Sequence, residues 1–193
     1  MPHSSSFTAL YDANVLYPAP LRDLLMWLAL TGLFRAKWTE TILEEYARNL
    51  VIKRPDISRD KIDNIKHLMN KHVCDALIEG YQNLIPAIEG LPDPDDRHVL
   101  AAAIVGRADI IVTYNLRDFP ETVLGQYNIE AQHPDEFVRH LIDLNESLVC
   151  SAAKKQRATL NNPPKSVEEF LDGLAKQQLP LTVAALRELG EFL

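Results

Sequence analysis

Phe7-Thr8-Ala9-Leu10-Tyr11-Asp12 is an apolar run that ends in a carboxylate, and it predicts a short buried strand. A second run, Ile110-Ile111-Val112-Thr113, is rich in β-branched residues and predicts another strand, with Asp118 a few residues beyond it. Strand-like and helix-like segments alternate between these runs, which indicates βαβ units and an α/β fold with a parallel sheet. Ligand sites in such sheets lie outside the carboxyl ends of the strands. Both Asp12 and Asp118 follow their strands, so we expect them on that edge.

Periodicity and the positions of proline and glycine predict the remaining elements. Two more short strands are expected at residues 34–38 and 129–131. Helices are expected at residues 21–32, 39–50, 58–71, 73–80 and 99–105, and from residue 134 onward. After residue 145 the pattern becomes wholly helical, with helices at residues 149–160, from Ser166 with capping-box spacing, and at 183–192 after a break at Pro180.

The chain has 193 residues, of which 47% are hydrophobic and 24% charged, a composition typical of a soluble globular protein. Its apolar stretches are too short to span a bilayer, and residues 1–6 lack the positive and apolar regions of a signal peptide. We therefore expect a cytoplasmic protein with no membrane partner. The two cysteines and six histidines show no zinc-site spacing. A net charge of −7 argues against tight nonspecific binding to duplex DNA.

Four carboxylates occupy positions that folding alone does not explain: Asp12, Glu45, Asp96 and Asp118. Glu45 lies in a predicted helix whose start adjoins the second strand, and Asp96 precedes an alanine-rich helix that can pack closely on the sheet. A cluster of carboxylates repels itself unless a cation occupies it, and hard oxygen ligands suit Mg²⁺ or Mn²⁺. Such sites most often act on phosphate esters.

Several basic side chains have more than one interpretation. Arg22 and Arg117 lie nearest to the predicted metal edge and are candidate phosphate contacts. The basic run at residues 53–71 is better explained as a solvated helix face, with phosphate binding as the alternative. His98 lies two residues past Asp96, which on a helix turns it to a different face, so we expect a core or surface histidine rather than a ligand.

At these positions the chain resembles the PIN-domain ribonucleases, and most closely the VapC-type toxins of type II toxin–antitoxin systems. The matching stretches are residues 10–16, 39–50, 93–103, 113–119 and 134–137. Each stretch is a weak motif, but their order and spacing together are fairly specific. The resemblance implies a three-layer α/β/α sandwich with a parallel sheet. It also implies a nuclease domain at residues 1–138, followed by a C-terminal helical extension at residues 139–193.

The resemblance implies roles for individual acids. The family's first three acids match Asp12, Glu45 and Asp96. Neighbouring acids leave the register open, with Glu44 as the alternative for the second acid and Asp95 or Asp93 for the third.

The fourth acid is a departure from the family pattern. Many members carry an acid where this chain has Asn115, and Asp118 is the candidate replacement. Asn14 and Thr113 match groups that orient Asp12 and the surrounding water, as residues around metal ligands commonly do. The number of metal ions is therefore left open.

These observations predict a metal-dependent endoribonuclease that cleaves phosphodiester bonds, with single-stranded RNA as the expected substrate. Asp12, Asp96 and Asp118 would hold Mg²⁺ or Mn²⁺, while Glu45 would share the ion or orient the attacking water. The extension is expected to contact a cognate antitoxin, and the apolar helix at residues 24–33 is compatible with a homodimer. One alternative is an RNA-processing or flap nuclease outside toxin–antitoxin systems. The other is an inactive scaffold, based on Asn115, that binds a partner through its C-terminal helices.

Overall fold

Four short parallel strands form the centre of the molecule, for which a computed structural model describes residues 7–190 and 193. They are β1 (Thr8–Tyr11), β2 (Arg35–Lys37), β3 (Ile110–Val112) and β4 (Glu130–Gln132), arranged in the order β2-β1-β3-β4. Successive β1 residues point to opposite faces of the sheet. Ala9, Leu10 and Tyr11 are nevertheless all fully buried, so helices cover both faces. The predicted α/β sandwich with a parallel sheet is confirmed.

Ten α-helices surround this sheet within the described residues. They are α1 (Ala13–Leu16), α2 (Ala19–Ala29), α3 (Glu40–Lys53), α4 (Arg59–His72), α5 (Arg97–Val105), α6 (Glu121–Leu124), α7 (Pro134–Leu144), α8 (Glu146–Thr159), α9 (Val167–Ala175) and α10 (Pro180–Glu188). Short 3-10 helices span Gln82–Ala87, Pro94–Asp96, Leu116–Asp118 and Gly125–Tyr127. In the described part of the chain, no helix has both the length and the apolar character needed to cross a membrane.

The helix predicted at residues 73–80 is wrong. Residues 73–75 form a turn, and Leu77 then forms a parallel bridge with Trp38, just beyond β2. The Trp38 amide donates to the Ala76 carbonyl at 3.0 Å, and the Ile78 amide donates to the Trp38 carbonyl at 2.9 Å. A short apolar segment can pair with a strand or form a helix, and here the free edge of β2 provides the partner.

The C-terminal helices differ from expectation at one proline. Ser166 and Glu169 form the predicted capping box at the start of α9. Pro180, predicted as a break, is the first residue of α10, a position where its missing N–H costs no helical hydrogen bond. The predicted helix end at residue 192 and the predicted lack of a leader in residues 1–6 both lie outside the described residues.

The C-terminal helices share the core of the sheet-containing part. Helix α8 packs on α2, and α10 packs on α7. The Gln156 amide of α8 donates to the carbonyl of Pro20 at 2.8 Å. Val149 of α8 and Leu186 of α10 are fully buried in the same apolar cluster as Leu24 of α2. The division at residues 138 and 139 stays a prediction, but the two parts have a continuous core.

Candidate functional site

Asp12 lies at the carboxyl end of β1, where the chain turns into α1. Its amide donates to the carbonyl of Val112 at 3.1 Å, which continues the pairing of β1 with β3. Its Oδ1 accepts from the Ala13 amide at 2.7 Å and caps α1. The residue is only 4% exposed, so its carboxylate has little contact with solvent.

Asn14 and Thr113 hold the second carboxylate oxygen of Asp12. The Thr113 hydroxyl donates to Oδ2 at 2.7 Å, and the Asn14 side-chain amide donates to the same oxygen at 2.6 Å. Asn14 also donates to the Thr113 hydroxyl at 2.9 Å and accepts from the Tyr114 amide at 3.1 Å. The Asn115 amide donates to the Thr113 hydroxyl at 3.0 Å. This network fixes the orientation of Asp12 relative to the end of β3.

Asp96 carries an uncommitted carboxylate at the start of α5. It occupies the cap position of that helix, but its side chain makes no capping hydrogen bond. Asp93 instead caps the preceding 3-10 helix by accepting from the Asp95 amide at 2.9 Å. Asp96 is partly buried, whereas Asp95 and Asp93 are exposed. Of these three acids, Asp96 is the partly buried one, and the negative charge of Asp12 contributes to raising its pKa.

The adjacent acids Glu44 and Glu45 of α3 have different partners. Glu44 is exposed and forms ion pairs with Arg59, at 2.8 Å, and with Lys66. Glu45 lies within 3.6 Å of the His98 imidazole (Oε2 to Nε2), and its charge raises the pKa of Asp12. Thr39 sets the start of α3, because its hydroxyl accepts from the Ile42 amide at 3.0 Å. Of the two, Glu45 is the one that lies near the other acids.

His98 lies beside the acids, and sequence reasoning missed this. Its side chain is 16% exposed, faces Glu45, and lowers the pKa of Asp12 through its charge. Its Nδ1 is buried without a hydrogen-bond partner. The two-residue spacing from Asp96 predicts that His98 lies on a different face of α5. No local sequence signal indicates that Glu45 of α3 is the neighbour of His98.

The fourth predicted acid lies in the loop after β3. Asp118 ends the 3-10 helix Leu116–Asp118, and its amide donates to the Asn115 carbonyl at 3.0 Å. Asp118 is partly buried, and its charge raises the pKa of Asp96. Asn115 and Arg117 are exposed in the same loop.

The acids perturb one another electrostatically. Burial, followed by the negative charges of Asp12, Asp118, Asp93 and Glu45, raises the pKa of Asp96 from 3.8 to about 7. Burial also raises the pKa of Asp12 from 3.8 to about 6, while the hydrogen bond from Thr113 works in the opposite direction. For Asp12, burial outweighs the lowering effects of the Thr113 hydrogen bond and of the His98 charge.

The carboxylate donors are chemically suited to a hard divalent cation, but their side chains do not converge on a common point. Within residues 7–190 and 193, no three His, Cys, Asp or Glu side chains are close enough together to hold an ion as they stand. The available donors are carboxylate oxygens, the ligands preferred by Mg²⁺ and Mn²⁺. A cation would also relieve the repulsion that raises the pKa of Asp96. Side-chain rotation would therefore have to complete the coordination.

The two arginines predicted near the site differ in their surroundings. Arg22 is 8% exposed and donates to the Tyr46 hydroxyl at 2.9 Å and to Asp23 at 2.9 Å. Its guanidinium is thus engaged by the protein, and its role in substrate binding stays a prediction. Arg117 is exposed in the loop that carries Asp118, where a phosphate could reach it.

Three of the six lysines and arginines in the basic run at residues 53–71 form ion pairs with acids. Arg54 pairs with Asp56 at 2.7 Å, and Arg59 pairs with Asp63 at 3.0 Å as well as with Glu44. Lys66 pairs with Glu40 at 2.6 Å. This surface agrees with a solvated helix face better than with a phosphate-binding patch.

Comparison with known proteins assigns the family. Residues 8–117, more than half of the chain, match the PIN domain, and residues 134–188 match the VapC50 C-terminal domain. A curated protein of Mycobacterium tuberculosis (strain ATCC 25618 / H37Rv), named "Putative ribonuclease VapC50", is 39% identical over 114 residues. That match covers 59% of this chain and 66% of the relative, so the chain spans just under two thirds of the relative's length. No solved structure matches the chain. Through residues 8–117 the chain belongs to the PIN-domain family, and its residues 134–188 are similar to the VapC50 C-terminal domain.

Proposed function

We propose that this protein is a metal-dependent endoribonuclease that hydrolyses phosphodiester bonds in RNA. The observation that carries the proposal is the partial burial of Asp96 among other acids; burial and then the neighbouring negative charges raise the pKa of its carboxyl to about 7. Such perturbation by burial and like charges is common at catalytic sites. The name of the VapC50 relative supports the ribonuclease class.

Asp12, Asp96 and Asp118 are the residues we assign to holding Mg²⁺ or Mn²⁺. When bound, the ion supplies Lewis-acid chemistry, polarising a phosphate and making water easier to deprotonate. Asn14 and Thr113 keep the Asp12 carboxylate in one orientation through their bonds to Oδ2. Asn115 takes part through its backbone amide, which bonds the Thr113 hydroxyl.

Glu45 is the residue we assign to the attacking water. Its carboxylate would accept a proton from that water as the new oxygen–phosphorus bond forms. The bond from phosphorus to the leaving oxygen then breaks, and the leaving oxygen takes a proton from solvent. Arg117, exposed beside Asp118, would contact a neighbouring phosphate, and Arg22 would do so only after leaving Asp23.

The biological role that we propose is the toxin of a toxin–antitoxin pair acting in the cytoplasm. Similarity to the relative named "Putative ribonuclease VapC50" supports this role, together with the match of residues 134–188 to the VapC50 C-terminal domain. A cognate antitoxin is the expected protein partner, and a homodimer is a further possibility to test by light scattering. Growth arrest on expression, relieved by co-expression of a small neighbouring gene product, would support the toxin role. Growth without arrest would favour an RNA-processing or flap nuclease.

The enzymatic proposal is tested with purified protein and a matched pair of variants. Asp96→Asn should abolish RNA cleavage and remove the rise in melting temperature caused by Mn²⁺. Asp95→Asn changes the adjacent, exposed acid and should retain both. Cleavage by Asp96→Asn at the wild-type rate would contradict the site. A wild-type protein that neither cleaves RNA nor responds to Mn²⁺ would favour the inactive scaffold.

A further inference from the structure

Tyr114 joins the candidate site to the C-terminal helices. Its backbone lies directly after Thr113, and its hydroxyl donates to the carbonyl of Gln177 at 2.7 Å. Gln177 lies in the turn between α9 and α10. The bond thus connects the part of the chain that matches the PIN domain with the part that matches the VapC50 C-terminal domain.

On the site side, the backbone amide of Tyr114 donates to Asn14 Oδ1 at 3.1 Å. This bond fixes which way the Asn14 side-chain amide faces. The opposite end of that amide donates to Asp12 Oδ2 at 2.6 Å and to the Thr113 hydroxyl at 2.9 Å. Movement of the Tyr114 backbone would therefore change the hydrogen bonds that orient Asp12.

On the extension side, the turn that carries Gln177 is held from two directions. Asp135, at the start of α7, is 4% exposed, and its two carboxylate oxygens accept from the Leu181 amide at 2.9 Å and the Thr182 amide at 2.8 Å. These amides belong to the first turn of α10, whose positive end favours the carboxylate. Gln177 is itself anchored by its own amide, which donates to the Leu174 carbonyl at 2.9 Å.

The Tyr114 ring is held between these two sides. It packs edge-on against the imidazole of His133, with centroids 5.1 Å apart. Burial, followed by the charge of Asp135, raises the pKa of the Tyr114 hydroxyl to about 12, so the hydroxyl keeps its proton and remains a donor at neutral pH. Both the ring and the hydroxyl therefore have one fixed arrangement.

We propose that Tyr114 is a positioning residue, through which the C-terminal helices hold Asn14 and Thr113 in the arrangement that orients Asp12. The C-terminal helices are then part of the catalytic unit, in addition to any contact with a partner. This inference rests on the proposed function of the site. Groups that orient metal ligands commonly change metal affinity or activity by about 10–100-fold when they are removed.

Tyr114→Phe tests the proposal because it removes only the hydroxyl. Tyr127→Phe is the control, since Tyr127 is exposed and lies in a 3-10 helix outside the network. In the full-length protein, Tyr114→Phe should weaken Mn²⁺ binding about tenfold, measured from melting temperature against Mn²⁺ concentration. It should lower kcat on RNA about tenfold and change KM by less than about twofold. Tyr127→Phe should match wild type in each measurement.

Amide hydrogen exchange separates positioning from simple attachment of the helices. In Tyr114→Phe, exchange should become about five- to tenfold faster at the Tyr114 and Asn115 amides, as expected for the loss of one hydrogen bond. Faster exchange only at Leu181 and Thr182, with unchanged Mn²⁺ affinity, would overturn the proposal. If Tyr114→Phe does not fold, Asp135→Asn loosens the same turn from the other side. It should accelerate the same two amides, and unchanged exchange there would overturn the proposal.

Failure of the proposed function is recognised from the wild-type protein alone. A wild type that shows no Mn²⁺ response and no cleavage overturns the metal-dependent nuclease, and the positioning role with it. A wild type that responds to Mn²⁺, together with a Tyr114→Phe variant that responds identically, overturns only the role of Tyr114.

Discussion

At the scale of single residues, Asp96 is unfavourable for folding in the absence of a cation. Its carboxyl has a pKa near 7 in the folded protein, against 3.8 for the free group, because it is partly buried among other acids. Each unit of raised pKa corresponds to about 1.4 kcal/mol at pH values above both pKa values. Solvent screening at this partly exposed position reduces the effect.

We therefore expect Asp96→Asn to stabilise the metal-free protein by about 1–3 kcal/mol near neutral pH. The measurement is urea unfolding in EDTA. Asp95→Asn, at the exposed neighbouring acid, should change the free energy of unfolding by less than about 0.5 kcal/mol. A destabilised Asp96→Asn would show that the carboxylate has a compensating partner.

The pH dependence of stability follows from the same two acids. Because the folded pKa values of Asp12 and Asp96 are raised, the folded state holds protons that the unfolded chain has already lost. Their favourable contribution is complete below about pH 4 and is lost as pH rises through about 6 and 7. The metal-free melting temperature should therefore fall between about pH 4 and pH 7, and fall less in Asp96→Asn or with Mn²⁺ present. An identical slope in wild type and variant would contradict this origin.

Sequence reasoning placed those candidate residues whose position depends only on the strand that carries them. Asp12 could be placed because an acid that ends a buried strand lies at the ligand edge of a parallel sheet. The orienting roles of Asn14 and Thr113 came from family resemblance, and their hydrogen bonds to Asp12 agree with it. His98 and Tyr114 could not be found, because their neighbours, Glu45 and Gln177, come from distant segments. No local pattern encodes such contacts.

At the scale of elements, the placement of Glu45 depends on where α3 begins. Thr39 is fully buried, and its hydroxyl accepts from the Ile42 amide at the first turn. The comparable cap of α4 is Ser58, whose hydroxyl accepts from the Lys61 amide at 3.4 Å at the surface. A buried cap has no water to replace it, so its loss is more costly.

Thr39→Ala should destabilise the protein by about 1–2 kcal/mol. It should also lower cleavage activity, because loss of the cap displaces the start of α3 and with it Glu45. Ser58→Ala should cost about 0.5–1 kcal/mol and leave activity unchanged. The checks are the urea midpoint and kcat of both variants. Equal losses of activity would show that the two caps affect the site only through overall stability.

Local sequence patterns predicted most helices and strands, but they did not decide between helix and strand for the short apolar segment at residues 73–80. The cap of α9 was visible as Ser166, because a hydroxyl before a periodic segment acts within one turn. The segment at residues 73–80 was predicted as a helix, but a short apolar pattern is compatible with either a helix or a strand. Its pairing with Trp38 is a tertiary contact that overrides local preference.

At the scale of the whole molecule, the sheet and the C-terminal helices are expected to unfold together. Leu186 of α10 is fully buried in the common core, whereas Leu181 of the same helix is 50% exposed. Both tryptophans of the chain, Trp27 and Trp38, lie in the sheet-containing part, so tryptophan fluorescence reports mainly on the unfolding of that part.

Leu186→Ala should lower the free energy of unfolding by about 2–5 kcal/mol, in one transition that the tryptophan fluorescence follows. Leu181→Ala should change it by less than about 0.5 kcal/mol. If residues 139–193 fold independently, Leu186→Ala will shift a helical signal in circular dichroism and leave the fluorescence transition in place. That result would make the boundary near residue 138 a true domain boundary.

The hydrogen bond from Thr113 to Asp12 has a consequence for synthesis on the ribosome. It joins residues 101 positions apart, and the bond from Tyr114 to Gln177 spans a further 63. A nascent chain exposes Asp12 early, yet it lacks the Thr113 partner of that acid until β3 has left the exit tunnel, and it lacks the anchor for Tyr114 until α9 has followed. Non-local contacts of this kind form late, because the intervening chain must first be ordered. An unfinished polypeptide is therefore expected to carry the acids without the arrangement that makes them active.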